Sequence, residues 1–280
     1  MIGLVESISG YASLVLDKAN PLFLALALLV YASSLLISSL RWLTASRLPY
    51  SVHNIAGVVE SLLVGVFVNN ILTFYNVAGE LARVGWASLR LKVESARLLV
   101  GALAERASEL PVAVIYLSLS AGTLFKLSLL SLAITSGLRN YALVMVKAVR
   151  DLASSPLHLA LVTLLSLTIW ILDTTRILLI ASAFNVNLAI AAALGLTVIH
   201  VASRFSPIPA GVGVLEGGFI GYLRLLGVPL GDATLIVLGE RLVSTLIPTT
   251  AGALLVLHRG GVSVLRASMR GVSIEGGHGN

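Results

Sequence analysis

Cysteine is absent from the 280 residues of this chain, and charged residues make up only 11% of it. Without cysteine there is no disulfide, no thiolate nucleophile and no cysteine-ligated metal. Soluble domains carry about 25% charged residues, so this composition does not fit that class. Hydrophobic residues make up 57% of the chain, and its mean hydropathy is +0.98. Both values indicate that lipid surrounds most of the protein.

The length sets the number of membrane crossings. A bilayer core about 30 Å thick takes roughly 20 apolar residues per helix, which leaves room for about six to eight spans and for no separate soluble domain. The sequence therefore predicts an all-α, polytopic membrane bundle formed by one transmembrane domain over residues 1–258. Residues 259–280 form a basic, glycine-containing tail that we expect to be disordered.

The amino-terminal region lacks the cationic start of a cleavable signal peptide, so its hydrophobic run is interpreted as retained. Between Lys18 and Arg41 no residue carries a formal charge, which predicts the first span. Basic residues cluster from Arg41 to Arg47, from Arg139 to Arg150 and in the tail. By the positive-inside rule the amino terminus lies outside and the carboxyl terminus in the cytoplasm, with the plasma membrane as the expected location. The net charge of +6 is thereby assigned to cytoplasmic loops rather than to nucleic-acid binding.

Two apolar segments are interrupted in ways that a simple span does not tolerate. The first carries Asn69 and Asn70 and breaks at 75–80, and the second, 204–230, is rich in proline and glycine. Non-helical backbone at membrane depth occurs where it faces protein or a wet cavity. We therefore predict two broken or re-entrant segments, although a kinked span is an alternative for the second.

The two breaks are followed by similar residues. Glu80 precedes Glu105-Arg106 by 25 positions, and Glu216 precedes Glu240-Arg241 by 24. Transporters built from internal repeats place such breaks at corresponding positions of their halves. A spacing match of this kind also arises by chance in an apolar chain, so an internal repeat and a coincidence both stay open.

The second break carries the most specific motif. Residues 207–216 read Pro-Ile-Pro-Ala-Gly-Val-Gly-Val-Leu-Glu and resemble the P-x-P-x-G-x-G-x-x-E signature of the flippase-like integral membrane proteins. That family includes the transmembrane region of bacterial lysylphosphatidylglycerol synthases. In the first half, Asn69-Asn70, Gly79-Glu80 and Arg83 resemble the family's other signature, but Thr73 and Phe74 stand where a proline is usual. The resemblance covers roughly 22–257 and implies lipid translocation; these residues include no aminoacyl-transfer domain, so synthase activity is not expected.

A lipid headgroup crossing the bilayer needs a shielded polar path, and arginine suits its phosphate because the planar guanidinium binds two oxygens at once. Glutamates at the same place neutralise the arginines when the site is empty, contact a headgroup amine or carry a coupling proton. An ionisable group at the centre of a spanning helix costs about 2.5 kcal/mol or more, so such residues line the interior or pair. The candidate substrate-binding residues are Glu80, Arg83, Arg106, Glu216, Arg241, Glu105, Glu240 and Asn70.

Each candidate also has a purely structural interpretation. The Glu-Arg dipeptides serve as ion pairs between helices, Glu80 and Glu216 as caps of helix starts, and the asparagines as partners of broken backbone. Asp173 and Arg176, three residues apart, are interpreted as a structural pair. No histidine has metal-ligand spacing and no nucleotide fingerprint is complete, so no catalytic residue, cofactor or metal is assigned.

The leading hypothesis is a non-enzymatic lipid transporter that moves a phospholipid or a polyprenyl-phosphate-linked lipid between leaflets. Its partners would be membrane lipids with an anionic or zwitterionic headgroup, and a homodimer is compatible with this reading. Two alternatives stay open: a membrane-embedded enzyme acting on a lipid headgroup, and a non-transporting assembly partner.

Overall fold

A computed structural model describes residues 13, 15–71, 77–124, 155–203 and 213–259, and within these ranges the backbone is helical with short connections and no strand. The all-α membrane fold predicted from the sequence is confirmed. The helices are α1 (Pro21–Ala45), α2 (Val52–Ile71), α3 (Val77–Leu91), α4 (Ser95–Leu124), α5 (Pro156–Ala183), α6 (Ile190–Ser203), α7 (Val214–Leu225), α8 (Leu230–Arg241) and α9 (Ile247–His258), with a π-helical turn at Leu242–Leu246 between the last two.

Helices α1 and α5 begin in the same way. Each has a proline at its first position, where the missing N–H would have no helical partner. At the start of α1 the side chain of Asn20 also accepts a hydrogen bond from the Leu22 N–H at 3.0 Å. Among the described residues α1, α2 and α5 are long and apolar enough to cross a membrane.

These two helices pack against each other in opposite directions. The Asn20 N–H, just before α1, donates to the carbonyl of Ala183 at the end of α5, with an N–O distance of 2.8 Å. Further along, the guanidinium of Arg176 lies over the ring of Tyr31 at 5.6 Å, and Arg41 donates to the hydroxyl of Ser166 at 3.1 Å. Residue numbers rise along α1 from one contact to the next while they fall along α5, so the two helices are antiparallel.

Two helical hairpins pack beside this pair, and glycines let their arms approach closely. In the α2–α3 hairpin, a Cβ added at Gly65 would lie 3.1 Å from the carbonyl oxygen of Gly79. In the α6–α7 hairpin, Gly195 leaves room for the ring of Tyr222, and a Cβ added at Gly218 would lie 2.7 Å from Ile199. These hairpins correspond to the two broken segments predicted from the sequence.

Each hairpin is followed by a long helix. Helix α4 has 30 residues and continues through Pro111. The run from Leu230 to His258 is also continuous, but it contains the π-helical turn just before Pro248. Because proline lacks an N–H and its ring clashes with the preceding turn, a locally widened turn accommodates it.

The described helices form two halves with the same order of elements and opposite directions, α1–α4 and α5–α9, which we call the repeats. Helices α1 and α5 are antiparallel, so the axis that relates the repeats is perpendicular to them and lies in the membrane plane. The last helix of each repeat packs on the hairpin of the other: α9 on α2, and α4 on α6. This arrangement is the one that an internal repeat predicts, and it interlocks the two halves.

Several other predictions were tested by the helix bounds. Residues 184–187, where the sequence Phe-Asn-Val-Asn predicts a turn, lie between α5 and α6, and the apolar run 231–257, which predicts a last span, corresponds to α8–α9. Of the first break, predicted at 75–80, residues 77–80 belong to α3, whereas 75 and 76 lie outside the described residues. Also outside them lie the amino-terminal segment 2–12, the basic connection 139–150, most of the proline-glycine motif and the tail after Arg259.

Candidate functional site

A closed ring of charges links α1, α3 and α4. Arginine and glutamate alternate around it, and each side chain contacts the next; the members in order are Arg41, Glu105, Arg83, Glu80, Arg106 and Glu109. Three positive and three negative charges make the ring neutral. We call it the first charge network.

The inner part of the first network is sealed from solvent. Arg41 contacts Glu105 at 3.0 Å and Glu109 at 2.9 Å, and the Glu105 side chain is only 1% exposed. The other oxygen of Glu105 accepts from Arg83 at 3.1 Å. Removing one partner of a buried ion pair strands the other charge, which costs about 3–5 kcal/mol. This part therefore holds the three helices together.

The outer part is more accessible. Glu80 accepts from Arg83 through one oxygen and from Arg106 through the other, both at 2.5 Å. The side chains of Glu80 and Arg106 are each 28% exposed. Arg83 is 7% exposed and lies over the ring of Trp42 at 4.5 Å, so it is a buried network member rather than a marker of the membrane surface.

A second charge network lies in the other repeat, and its inner part is equally sealed. Arg176 donates to both oxygens of Glu240, at 3.2 and 2.8 Å, and to Asp173 at 2.5 Å. The Arg176 and Glu240 side chains are each 1% exposed. The ring nitrogen Nδ1 of His200 lies 3.3 Å from the same glutamate.

The outer part of the second network is the pair of Glu216 and Arg241. One carboxylate oxygen of Glu216 accepts from Arg241 at 2.7 Å, and the other accepts the N–H of Gly213 at 2.6 Å. Gly213 has φ +83°, a conformation that suits glycine, just before α7. Glu216 thus caps a helix and neutralises an arginine at once, which joins the two interpretations considered from the sequence.

The two networks share four corresponding residues, an inner Arg-Glu pair and an outer Glu-Arg pair. Arg41 and Glu105 are 64 positions apart, and so are Arg176 and Glu240. The outer pairs match as well. Each outer arginine directly follows the inner glutamate of its own network in the sequence, and each outer glutamate lies in the first turn of α3 or α7. The inverted repeat has therefore preserved one arrangement on both sides of the molecule.

The asparagines of the first break have separate partners. Asn69 accepts the N–H of Gly79 at 2.8 Å, within the α2–α3 hairpin. Asn70 donates to the hydroxyl of Thr249 on α9. Asn69 therefore satisfies backbone, as the structural interpretation predicted, while Asn70 ties one repeat to the other.

A cavity of about 450 Å³ lies between the networks and draws its walls from both repeats. Its charged lining consists of arginines from both networks and of two acids; these are Arg41, Arg83, Arg106, Arg176, Arg241, Glu80 and Asp173. Amides, hydroxyls and one imidazole complete the polar lining, from Asn69, Asn70, Tyr31, Ser34, Ser38, Ser203, Ser244, Thr245 and His200.

The networks lie at different depths in the membrane. Along α1, Arg176 lies over Tyr31, whereas Arg41 is ten residues further on, a separation of about 15 Å at 1.5 Å per residue. That is about half of a 30 Å hydrocarbon core.

Of the sequence-predicted residues, Glu80, Arg83, Arg106, Arg241 and Asn70 line the cavity. The other three lie behind arginines: Glu105 and Glu240 are held in the inner parts, and Glu216 holds Arg241. Sequence reasoning missed three participants and assigned a fourth to a structural pair alone; these are Arg41, Glu109, His200 and Arg176. A signal for the two arginines was present in the sequence, because Arg41 and Arg176 each precede the glutamate of a Glu-Arg dipeptide by 64 residues.

The sequence matches a known protein family. Residues 110–252, about half of the chain, match the lysylphosphatidylglycerol synthase transmembrane region. The chain belongs to this family. No curated protein and no solved structure matches it.

Membership of the lysylphosphatidylglycerol synthase transmembrane region family agrees with the apolar helices in showing a membrane protein, and it connects the chain with lipid modification or transport. The matched residues include all of the second charge network and Arg176's partners in α5, α6 and α8. Among the described residues no group of three or more His, Asp or Glu side chains is arranged to hold a metal ion.

Proposed function

We propose that this protein moves a lipid with a phosphate-bearing headgroup between the two leaflets, by exposing its polar cavity alternately to either side. The substrate is a phospholipid or a polyprenyl-phosphate-linked lipid. The observation that carries the proposal is the pair of matching charge networks, related by an inverted repeat, at two depths of one cavity.

The outer arginines are suited to the headgroup phosphate. Arg106 and Arg241 line the cavity, and each is held by a glutamate that a phosphate in the cavity would replace as the ion-pair partner. A phosphate oxygen pair replaces a carboxylate with little change in geometry, because both accept the parallel N–H bonds of a guanidinium. The glutamates then keep the arginines neutralised while the site is empty, which lowers the cost of charge at membrane depth.

The inner parts of the networks hold these outer arginines in place. Arg41 and Arg176 line the cavity too, but each is tied to two carboxylates at short distance. Their side chains are only 7% and 1% exposed, so we assign them a supporting role and not direct contact with the headgroup. A headgroup therefore meets an accessible arginine at each depth, backed by a rigid ionic frame.

Lipid tails need no protein path. Large apolar side chains are exposed on the outside of α1, α4 and α5, including Leu29, Leu119 and Leu164. A headgroup in the cavity with its tails against this apolar surface satisfies both parts of the lipid.

The proposal favours transport over the two alternatives. An enzyme that uses the predicted glutamates needs one of them free to accept a proton, whereas Glu80 and Glu216 are each bound to arginine. An assembly partner needs no solvated interior, whereas this cavity is lined by polar groups from both repeats. The proposal also needs no second copy, because both networks lie within one chain.

We further propose the plasma membrane as the location, with the start of α1 outside and the end of α9 in the cytoplasm. In the fold these two ends lie on opposite sides. Asn20 lies at the end of α5, whereas α9 runs antiparallel to α2, from Thr249 beside Asn70 to Arg259 beside Glu60. The basic connection after α1 then faces the cytoplasm.

The direct test is leaflet exchange in vesicles containing the purified full chain. Fluorescent phospholipids and a polyprenyl phosphate are placed in both leaflets, and a membrane-impermeant quencher reports the fraction that reaches the outside over time. We expect exchange faster than in protein-free vesicles for at least one phosphate-bearing lipid. Folded protein that accelerates none of a broad panel would overturn the proposal.

A neutral lipid of matched chain length, diacylglycerol, serves as the control. It lacks phosphate, so the proposal expects its rate to be the same with and without protein. Equal acceleration of both lipids would indicate a disturbed bilayer instead of a headgroup site.

A further inference from the structure

His200 distinguishes the second network from the first. It lies on α6, lines the cavity, and places Nδ1 3.3 Å from Glu240. In the first repeat the corresponding position along the hairpin is Gly65, which likewise lines the cavity but has no side chain. The cavity therefore has an imidazole at this position of the second repeat and none at the matching position of the first.

The charged and titratable groups near His200 come from several helices that line the cavity or pack beside α6. Helix α5 contributes Asp173 and Arg176, and α8 contributes Glu240 and Arg241. Helix α4 contributes Tyr116, which packs with Trp170 and Val201, and α7 contributes Glu216 through its pair with Arg241. Arg204 follows α6 in the sequence but lies outside the described residues.

Among these groups histidine is the one whose charge ordinarily changes between pH 5 and 8. The arginines stay protonated across this range, and the described carboxylates contact arginine. A change of pH near neutrality therefore acts on the cavity through His200.

We infer that His200 is the binding site for a proton that enters the cavity together with the lipid phosphate, so that lipid movement is coupled to proton movement. This inference rests on the proposed function. The proton comes from water on one side of the membrane, adds to a ring nitrogen of His200, and leaves to water on the other side.

The physical basis is electrostatic linkage. A phosphate held by Arg241 brings negative charge into the compartment that His200 lines, and this favours the imidazolium form. Linkage is reciprocal, so a protonated His200 increases phosphate affinity by the same factor. Low solvent exposure of His200, 10% for its side chain, keeps this interaction from being screened.

The experiment compares the pH dependence of lipid exchange in vesicles for three proteins: the natural chain, His200→Gln and His158→Gln. His158 lies at the start of α5, where it pairs with Ser155, and it does not line the cavity. We expect exchange by the natural chain and by His158→Gln to fall about tenfold between pH 5.5 and pH 8. His200→Gln should show a flat profile over this range.

Proton uptake supplies a second measurement that needs no variant. Short-chain phosphatidylglycerol is added to the purified protein in weakly buffered detergent at pH 7, and an indicator dye records protons taken up. We expect uptake by the natural chain and by His158→Gln, and its loss in His200→Gln. No uptake by the natural chain, on binding demonstrated by calorimetry, overturns the inference even if His200→Gln does not fold.

The two proposals fail separately. If the natural chain exchanges lipid but His200→Gln keeps its pH profile or its proton uptake, the proton site is wrong while the transport function stands. If His200→Gln still binds short-chain phosphatidylglycerol in calorimetry but loses proton uptake and loses exchange at every pH, coupling is obligatory and the inference is supported. If the natural chain exchanges no lipid, the proposed function falls and the coupling falls with it.

Discussion

Glu216 holds Arg241 at 2.7 Å with one carboxylate oxygen while its other oxygen accepts the Gly213 N–H at 2.6 Å. One side chain thus connects the start of α7 to the accessible arginine of the second network. In the first network Glu80 plays the matching part by bridging Arg83 and Arg106. In both repeats, the arginine that faces the cavity is tied to the first turn of a hairpin helix, so replacing its carboxylate partner by a phosphate frees that turn to move.

The first prediction concerns the two outer arginines. Arg106→Ala and Arg241→Ala should lower the exchange rate about ten- to a hundredfold, because a hydrogen bond to a charged group contributes about 1.5–3 kcal/mol. Their folded yield should change little, since their side chains are 28% and 13% exposed. The measurement is exchange per folded molecule, with yield taken from size-exclusion chromatography.

Arg41→Ala is the matched control for that prediction. Arg41 is 7% exposed and contacts Glu105 and Glu109, so its loss should cost about 3–5 kcal/mol of stability and reduce folded yield. If Arg106→Ala and Arg241→Ala reduce folded yield as much as Arg41→Ala does, the outer arginines are structural and the assignment of a headgroup site is wrong.

The second prediction concerns the carboxylate that competes with the phosphate. Glu80→Gln keeps the size of the side chain but removes the charge that neutralises Arg83 and Arg106. We expect tighter binding of short-chain phosphatidylglycerol, by about tenfold, and slower exchange because release becomes harder. Calorimetry gives the affinity and the vesicle assay the rate.

Glu60→Gln controls for loss of a glutamate from the same region. Glu60 pairs with Arg90 and Arg259 and does not line the cavity. Its substitution should leave headgroup affinity unchanged. Unchanged or weaker binding by Glu80→Gln would mean that the carboxylate does not occupy the phosphate position.

Composition and residue spacing predicted the fold class and the regions that carry charge, whereas helix packing decides which charged side chains face the cavity. Scarce charge predicted the membrane fold, and the Glu-Arg dipeptides predicted where charge gathers. The sequence did not separate Glu105 from Arg106, although the first is sealed and the second faces the cavity. Neighbours on a helix point about 100° apart, so which one faces inward depends on the helices packed around them.

Arg41 shows a second limit. Its place beside other basic residues suggested a cytoplasmic loop, yet α1 continues to Ala45 and buries it against α4 and α5. Nothing local to Arg41 indicates this, because its partners Glu105 and Ser166 are 64 and 125 positions away. Only the antiparallel packing of α1 on α5 brings them together.

The third prediction tests the close packing between repeats. A Cβ added at Gly252 on α9 would lie 2.8 Å from the Cβ of Phe67 and would strike the backbone of Leu63 on α2. Gly252→Ala should therefore lower stability by about 1–3 kcal/mol, seen as a lower Tm. Gly221→Ala is the control: it is helical and has nothing within 4 Å, so its Tm should stay the same or rise, since alanine favours helix. Equal Tm values for both variants would contradict the α2–α9 contact.

The fourth prediction tests the interlocked repeats with cysteines, which the chain otherwise lacks. Asn70 contacts Thr249 across the α2–α9 interface, so Asn70→Cys with Thr249→Cys should form a disulfide under mild oxidation. Thr250 is exposed and bonds only within its own helix turn, to Leu246, so Asn70→Cys with Thr250→Cys should not. Gel mobility with and without reductant distinguishes the two.

A cross-link would also be expected to slow lipid exchange, because it fixes the first hairpin to the second repeat and opposes the rocking that alternating exposure requires. Efficient cross-linking through position 250 instead of 249 would show that α9 meets α2 through a different face.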